Sequence, residues 1–318
     1  MKEDFKIVNG ILGFIIGDAL GVPFEFVERN ILNNKVNGMV GYGVYKLPKG
    51  SWSDDSSMVI ATMKSIIDNK SKINYKDIMN NFMLWSEENK FTPNNKMFDI
   101  GNTTAKALRN YKYKSEFNIY EDPLNCGIDD YYDNGNGSLM RMLPIALYCY
   151  YKKLNNVEIL NLVRDISSLT HSHQISILGC YIYVLFINKL LNGNNKEESY
   201  NYIRNFKYCL YFDKENINIY GRLLNNDISI LKINDISSKG FIVDSLEAVI
   251  WCFVNSDNYS ESVLKAVNLG NDTDTIGALV GGLSGIYYNS INQKWLNDLI
   301  RKDYLIDLCI EYKNLLDI

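Results

Sequence analysis

Two short acidic clusters hold the residues of this chain best suited to chemistry. Ser53-Asp54-Asp55-Ser56 follows Gly50-Ser51-Trp52 and leads into an apolar run from Met58; Asp272-Thr273-Asp274-Thr275 follows Leu269-Gly270-Asn271 and leads into another from Ile276. Each sets two carboxylates and two hydroxyls at the start of a helical pattern, beside apolar residues where an unpaired charge is expensive to bury. Two uses fit. Ser53 or Asp54 in the first cluster, and Asp272 or Thr273 in the second, could N-cap the helix that follows. One cap explains one acid, however, and neighbouring carboxylates repel. A hard divalent cation would relieve that repulsion and use the hydroxyls as further ligands, so four carboxylates brought together could hold one or two Mg²⁺ or Mn²⁺ ions. With only two histidines in the chain, zinc is disfavoured.

Three further segments bear on such a site. Gly17-Asp18-Ala19-Leu20-Gly21-Val22-Pro23-Phe24-Glu25-Phe26 ends a helix at Gly21 and Pro23 and leaves Glu25 among apolar residues. A carboxyl there could have the raised pKa that a general acid or base needs, or could swing out to solvent. Asp133-Asn134-Gly135-Asn136-Gly137-Ser138-Leu139-Met140-Arg141 is a glycine-rich loop running into a helix, either a plain turn or a cradle of amides for a phosphate, with Arg141 notable among only seven arginines. Thr170-His171-Ser172-His173 contains both histidines and reads as a capped helix start.

The elements that must position these residues are helical. Apolar periodicity predicts helices over 57–67, 78–88, 103–111, 139–151, 157–169, 175–191, 243–254 and 276–288. Only Val40-Gly41-Tyr42-Gly43-Val44-Tyr45-Lys46 alternates, as a small hairpin arm or a loop. The expectation is an all-α fold in one compact domain spanning 1–318, with a peripheral insertion at about 192–240. Gly10, Gly13 and Gly17 near the start and Gly277, Gly281 and Gly285 near the end each line one helix face. Glycine costs roughly 1 kcal/mol per helical position relative to alanine, which close backbone approach can offset. The two chain ends are therefore expected to meet in the core.

Composition sets the outer limits. The 318 residues include 33 Lys+Arg and 37 Asp+Glu, a net charge of −4, with 47% hydrophobic residues. That is ordinary globular material and argues against general nucleic-acid binding. Cys126, Cys149, Cys180, Cys209, Cys252 and Cys309 form no CxxC pair and read as free thiols in a reducing compartment. Glu3 and Asp4 make the start a poor leader, and the apolar stretch 175–187 is short for a bilayer span. A cytoplasmic protein with no membrane partner is expected.

Taken together, the motifs resemble those of the ADP-ribosylglycohydrolases. The resemblance is ordered and nearly full length: GDALGVPFEF at 17–26, GSWSDDSSM at 50–58, FDIGNTTAKAL at 98–108, GNGSLMRMLPIAL at 135–147, THSH at 170–173 and GNDTDTIGALVGGLSG at 270–285. It implies an all-α domain with a binuclear magnesium site at the base of an ADP-ribose cleft, with Ser53, Asp54, Asp55, Asp272, Asp274 and Thr275 as ligands. Serine stands at 53 and 56 where the family usually has threonine, which keeps the oxygen and loses a methyl that restricts the rotamer. The resemblance also makes Glu25 a catalytic carboxylate at the metal edge, the loop with Asn136, Gly137, Ser138, Met140 and Arg141 a lining of the ADP-ribose pocket, and His171 a neighbour of the ligand. Asp99-Ile100-Gly101-Asn102 looks like the acid and asparagine that flank the scissile bond in arginine-directed bacterial members; the alternative is that Asp99 caps the next helix. The implied reaction is Mg²⁺-dependent removal of ADP-ribose from arginine on a modified protein, with Asp99 and Glu25 sharing proton transfer. Hydrolysis of serine-linked or other O-linked ADP-ribose, and an inactive ADP-ribose-binding module, are the rival readings.

Overall fold

A computed structural model describes residues 5–33, 35–116 and 122–316; Glu3 and Asp4 lie outside the described residues. α1 (Lys6–Gly21) is apolar nearly all round and almost wholly buried, Asp18 included. After the single turn α2 (Arg29–Leu32), α3 (Asp54–Asp68) and α4 (Tyr75–Glu88) start at Ser53 and Asn74, whose side chains accept amide hydrogen bonds. α5 (Asn102–Glu116) follows. The helix expected over 139–151 is split into a 3₁₀ turn at Leu139–Arg141 and α6 (Leu143–Tyr151). Pro144 is the reason: it sits in the first turn of α6, where its missing N–H costs nothing, and cannot continue a helix from before. α7 (Asn156–Ser168) opens on an Asn155/Glu158 capping box, and α8 (Gln174–Leu191) is capped by His173.

α9 (Lys196–Asn205), the short α10 (Lys214–Ile219) and α11 (Gly221–Asn225), α12 (Ile242–Val254), α13 (Tyr259–Val267), α14 (Thr273–Tyr288), α15 (Gln293–Asp298) and α16 (Lys302–Leu316) complete the order. α9, α13 and α16 go beyond the helices expected from apolar periodicity, because tyrosine, serine, cysteine and alanine fill much of their buried faces. Residues 40–46 form a loop. Among the described residues there is no sheet, only isolated bridges joining Ile128 to His171 and Gly135 to Phe241.

The glycine faces meet as expected. A Cβ at Gly17 would lie 2.0 Å from Gly277 O, one at Gly281 2.2 Å from Gly13 O and one at Gly285 2.0 Å from Asn9 O. Rising numbers on α1 pair with falling numbers on α14, so the helices are antiparallel. The end of α1 thus abuts the start of α14, and Gly21 presses on the backbone of Asp274. Around this pair one hydrophobic core includes α8, buried along nearly its whole length, together with Tyr200, Ile203, Tyr220, Leu224 and Ile236 from the 192–240 stretch. Lys6–Phe24, which is α1 with the turn after it, and α8 are long and apolar enough to cross a membrane by length and composition, and both are largely buried inside the protein. All six cysteines are free thiols, and all but Cys209 are buried.

Candidate functional site

Three helix ends build the floor of a cleft. The antiparallel pair sets Asp18 near the end of α1 beside Asp274 at the start of α14, and Asp18 draws in α3. Its carboxylate accepts the Ser53 and Ser56 amides, each at 3.0 Å, and the Ser56 hydroxyl at 2.5 Å. Ser53 Oγ adds the Asp55 amide at 3.3 Å. The start of α3 is therefore capped by Asp18 and Ser53, which releases Asp54 and Asp55 for other work. Capping by Ser53, one of the two uses open to the first cluster, is what the structure shows, with Asp18 adding to it from another helix. Sequence reading passed over Asp18; the only signal for it is a lone charge within an otherwise apolar helix.

Five acids converge, Asp18 among them. One carboxylate oxygen from each of Asp18, Asp55 and Asp274 lies within 4.8 Å of the others, and the same holds for Glu25, Asp99 and Asp274. Ser53 Oγ and Thr275 Oγ1 both reach Asp55 Oδ2, at 3.0 and 3.2 Å. Asp272 occupies the N-cap position of α14, and its Oδ2 accepts the Asn136 side-chain amide at 2.6 Å, tying the floor to the glycine-rich loop. The starts of α3 and α14 both point their positive dipole ends at this cluster, which favours negative charge there.

Burial and mutual repulsion push the acids toward protonation. Burial foremost, then the neighbouring carboxylates, raises Asp54, Asp55 and Asp274 well above the usual range. Burial raises Asp18 to about 6 against the lowering effect of its hydrogen bonds to Ser56 and Ser53. Glu25 is pushed up to about 8, by burial and then by the charge of Asp99. Asp55 Oδ1 and Glu25 Oε2 are buried without a hydrogen-bond partner. No lysine or arginine is among the described residues lining the cleft. An all-oxygen, charge-dense donor set with orphaned carboxylate atoms fits a hard divalent cation. Of the four expected aspartates, Asp55 and Asp274 belong to the converging groups, whereas Asp54 and Asp272 line the cleft beside them.

Above this floor is a cleft of about 310 Å³. Larger cavities of about 570 and 450 Å³ lie elsewhere, but neither is lined by an acidic cluster. Glu25 follows the turn Val22–Phe24 and is 5% exposed. Asp99 does not cap α5; its Oδ1 accepts the adjacent Ile100 amide at 2.9 Å, leaving the carboxylate at the cleft wall with Asn102 nearby. Asn136, Gly137, Met140 and His171 also line the cleft. His171 is buried, lies 2.7 Å from Thr170 Oγ1 through Nδ1, and has its pKa lowered to about 3 by burial and the Arg141 charge. It is a neutral, shape-setting group. His173 instead caps α8.

Ser138 and Arg141 stand behind the loop and do not line the cleft. Ser138 Oγ is 3.3 Å from Cys180 Sγ, and the wholly buried Arg141 donates to Gly137 O and Ile166 O, both at 2.9 Å, with its guanidinium over Phe82. The arginine fixes the loop's shape from inside. The sequence reading also omitted Tyr45, which is half-buried close to Glu25 and whose ring packs on Phe98.

Comparisons with known proteins agree with this architecture. An ADP-ribosylarginine hydrolase of Serratia proteamaculans is 28% identical over 310 residues, covering 95% of this chain and 77% of that protein. An ADP-ribosyl-[dinitrogen reductase] glycohydrolase of Rhodospirillum rubrum is 28% identical over 304 residues, covering 93% and 91%. A solved structure described as an ADP-ribosylglycohydrolase-related protein complex superposes with a TM-score of 0.81 at 26% identity, over the full length of both chains. The sequence pattern of the family described as ADP-ribosylglycohydrolase matches residues 2–317, and the chain belongs to that family.

Proposed function

We propose that this member of a family of ADP-ribose-linkage hydrolases cleaves the N-glycosidic bond between ADP-ribose and an arginine side chain of a modified protein. The observation that carries the arginine assignment is Asp99: released from helix capping, it stands at the cleft wall within reach of Glu25 and Asp274. A carboxylate there pairs with a guanidinium through charge-assisted hydrogen bonds. The hydrolases from Serratia proteamaculans and Pseudomonas putida named for ADP-ribosylarginine, at 28% and 29% identity, support the same acceptor.

The bond from the anomeric carbon to the guanidino nitrogen breaks with its electron pair staying on nitrogen, and water delivers hydroxyl to the carbon. The proton removed from that water ends on the departing guanidine. In this reading Glu25 and Asp99 carry it, while Asn102 and Asn136 orient the conjugate and neutral His171 fixes the shape of the wall. Asp54, Asp55, Asp272 and Asp274, with Ser53 and Thr275, would hold two Mg²⁺ ions, for which Mn²⁺ is a substitute. Bound there, the ions supply Lewis-acid polarisation and a template for ribose hydroxyls.

The test follows ADP-ribose release from arginine-linked and serine-linked conjugates, with Mg²⁺ in excess over a chelator and without it. Magnesium-dependent release from the arginine conjugate is expected. Release from the serine conjugate alone would sink the acceptor assignment, and ADP-ribose binding without release from either would make the chain a reader.

A further inference from the structure

The loop between Val40 and Leu47 connects the cleft to the outer surface. Gly43 presses on Pro23, where a Cβ would lie 1.9 Å from the carbonyl oxygen, and the Val44 amide donates to that same oxygen at 3.0 Å. Tyr45 then turns inward beside Glu25, half-buried, its ring centroid 4.8 Å from that of Phe98, the neighbour of Asp99. Tyr42 and Val44 point out and are 70% and 45% exposed. Tyr42 has φ +73, in the left-handed region that a bulky residue rarely adopts, held by its amide on Leu47 O at 2.6 Å. Phe26, next to Glu25, repeats the pattern: it is 69% exposed, has φ +61, and donates its amide to Asn271 O at 2.6 Å. Strained backbone that holds apolar side chains in water at the edge of a reaction cleft marks a recognition surface.

The occupant follows from the tether. A conjugate whose scissile bond lies by Glu25 and Asp99 must rest its polypeptide on surface near them, and the 40–47 loop, joined to that wall through Tyr45 on Phe98 and Val44 on Pro23, and Phe26 present exposed apolar side chains there. We propose that this loop is the docking surface for the modified protein, with Tyr42 and Val44 packing against an apolar patch beside the ADP-ribosylated residue. The inference rests on the reading of the chain as a hydrolase of protein-linked ADP-ribose. It goes beyond that reading in separating recognition of the protein from recognition of the ADP-ribose.

The experiment compares kcat/KM on an ADP-ribosylated protein with that on free ADP-ribosyl-arginine, for the full chain and for Tyr42→Asn/Val44→Ser. Asparagine tolerates the left-handed backbone, and Val44→Ser alone serves if the double variant fails to fold. The expected result is a fall of about tenfold on the protein conjugate, mainly through KM, with the free conjugate unchanged. A fall on both, or on neither, would overturn the proposal. So would loss of a dimer in sedimentation with the ratio unchanged, which would assign the loop to a second copy of this chain. Absence of release from both conjugates by the wild-type chain overturns the parent reading instead, and this one with it.

Discussion

The floor of the cleft is assembled from three helix ends, two locked by glycine contact and the third held by Asp18, whereas its rim is made of loops in which Phe26, Tyr42 and Lys46 occupy the left-handed region. On the floor, Asp18 is fully occupied by hydrogen bonds from the start of α3, and Asp55 lies beside it with an oxygen unpartnered. On the rim, apolar side chains reach into water. The difference separates two tasks. Charge must be concentrated where packing cannot relax, since any loosening would let the carboxylates part or admit water. A partner surface needs projecting side chains, and strained loops supply them.

Asp274, shared by both acid triads, gives the sharpest break of that contrast. Asp274→Asn should lower magnesium-dependent turnover by on the order of 10³-fold while raising the melting temperature in chelator, because it removes a buried like charge. Activity and thermal melts check the two halves; a lower melting temperature in chelator would show that the charge is not a stability burden. Glu25 lies where floor meets rim. Glu25→Gln should lower kcat by about 10²-fold with little change in ADP-ribose affinity, read by single-turnover kinetics beside calorimetry.

Gly17→Ala tests whether the floor depends on helix contact. Its Cβ would meet Gly277 O, so a loss of about 1–3 kcal/mol in urea unfolding is expected, together with weaker Mg²⁺ binding. Smallest is the pH effect. Asp18 is raised to about 6 and Glu25 to about 8, so between the ordinary carboxylate range and those values the folded chain binds more protons than the unfolded one. Stability in chelator should therefore fall as pH rises from 5 to 8, and excess Mg²⁺ should flatten the slope. A melting temperature that rises over that interval would contradict the assignment.

The sequence made much of this legible. Apolar spacing located the principal helices, the two glycine faces announced that the chain ends meet, and each acidic cluster sat at a helix start as read. It could not show that Asp18, a lone charge in an apolar helix, caps α3. Nor could it show that Tyr45 alone in the 40–46 stretch turns in toward Glu25, or that Arg141 braces its loop from behind. Each of those depends on which side chains face one another across long separations in the chain. Composition and local spacing carry no information on that.

By itself, then, the sequence determined the helical class, the residue types at each helix start and the order of motifs that resembles one family, because caps, periodicity and glycine placement act within a few residues. Only the tertiary structure decided which carboxylates share a space and which side of the rim meets solvent. The antiparallel register of α1 on α14, set where backbone presses on backbone at Gly17 and Gly277, is what carries Asp18 to Asp274 and gathers the acids into one floor.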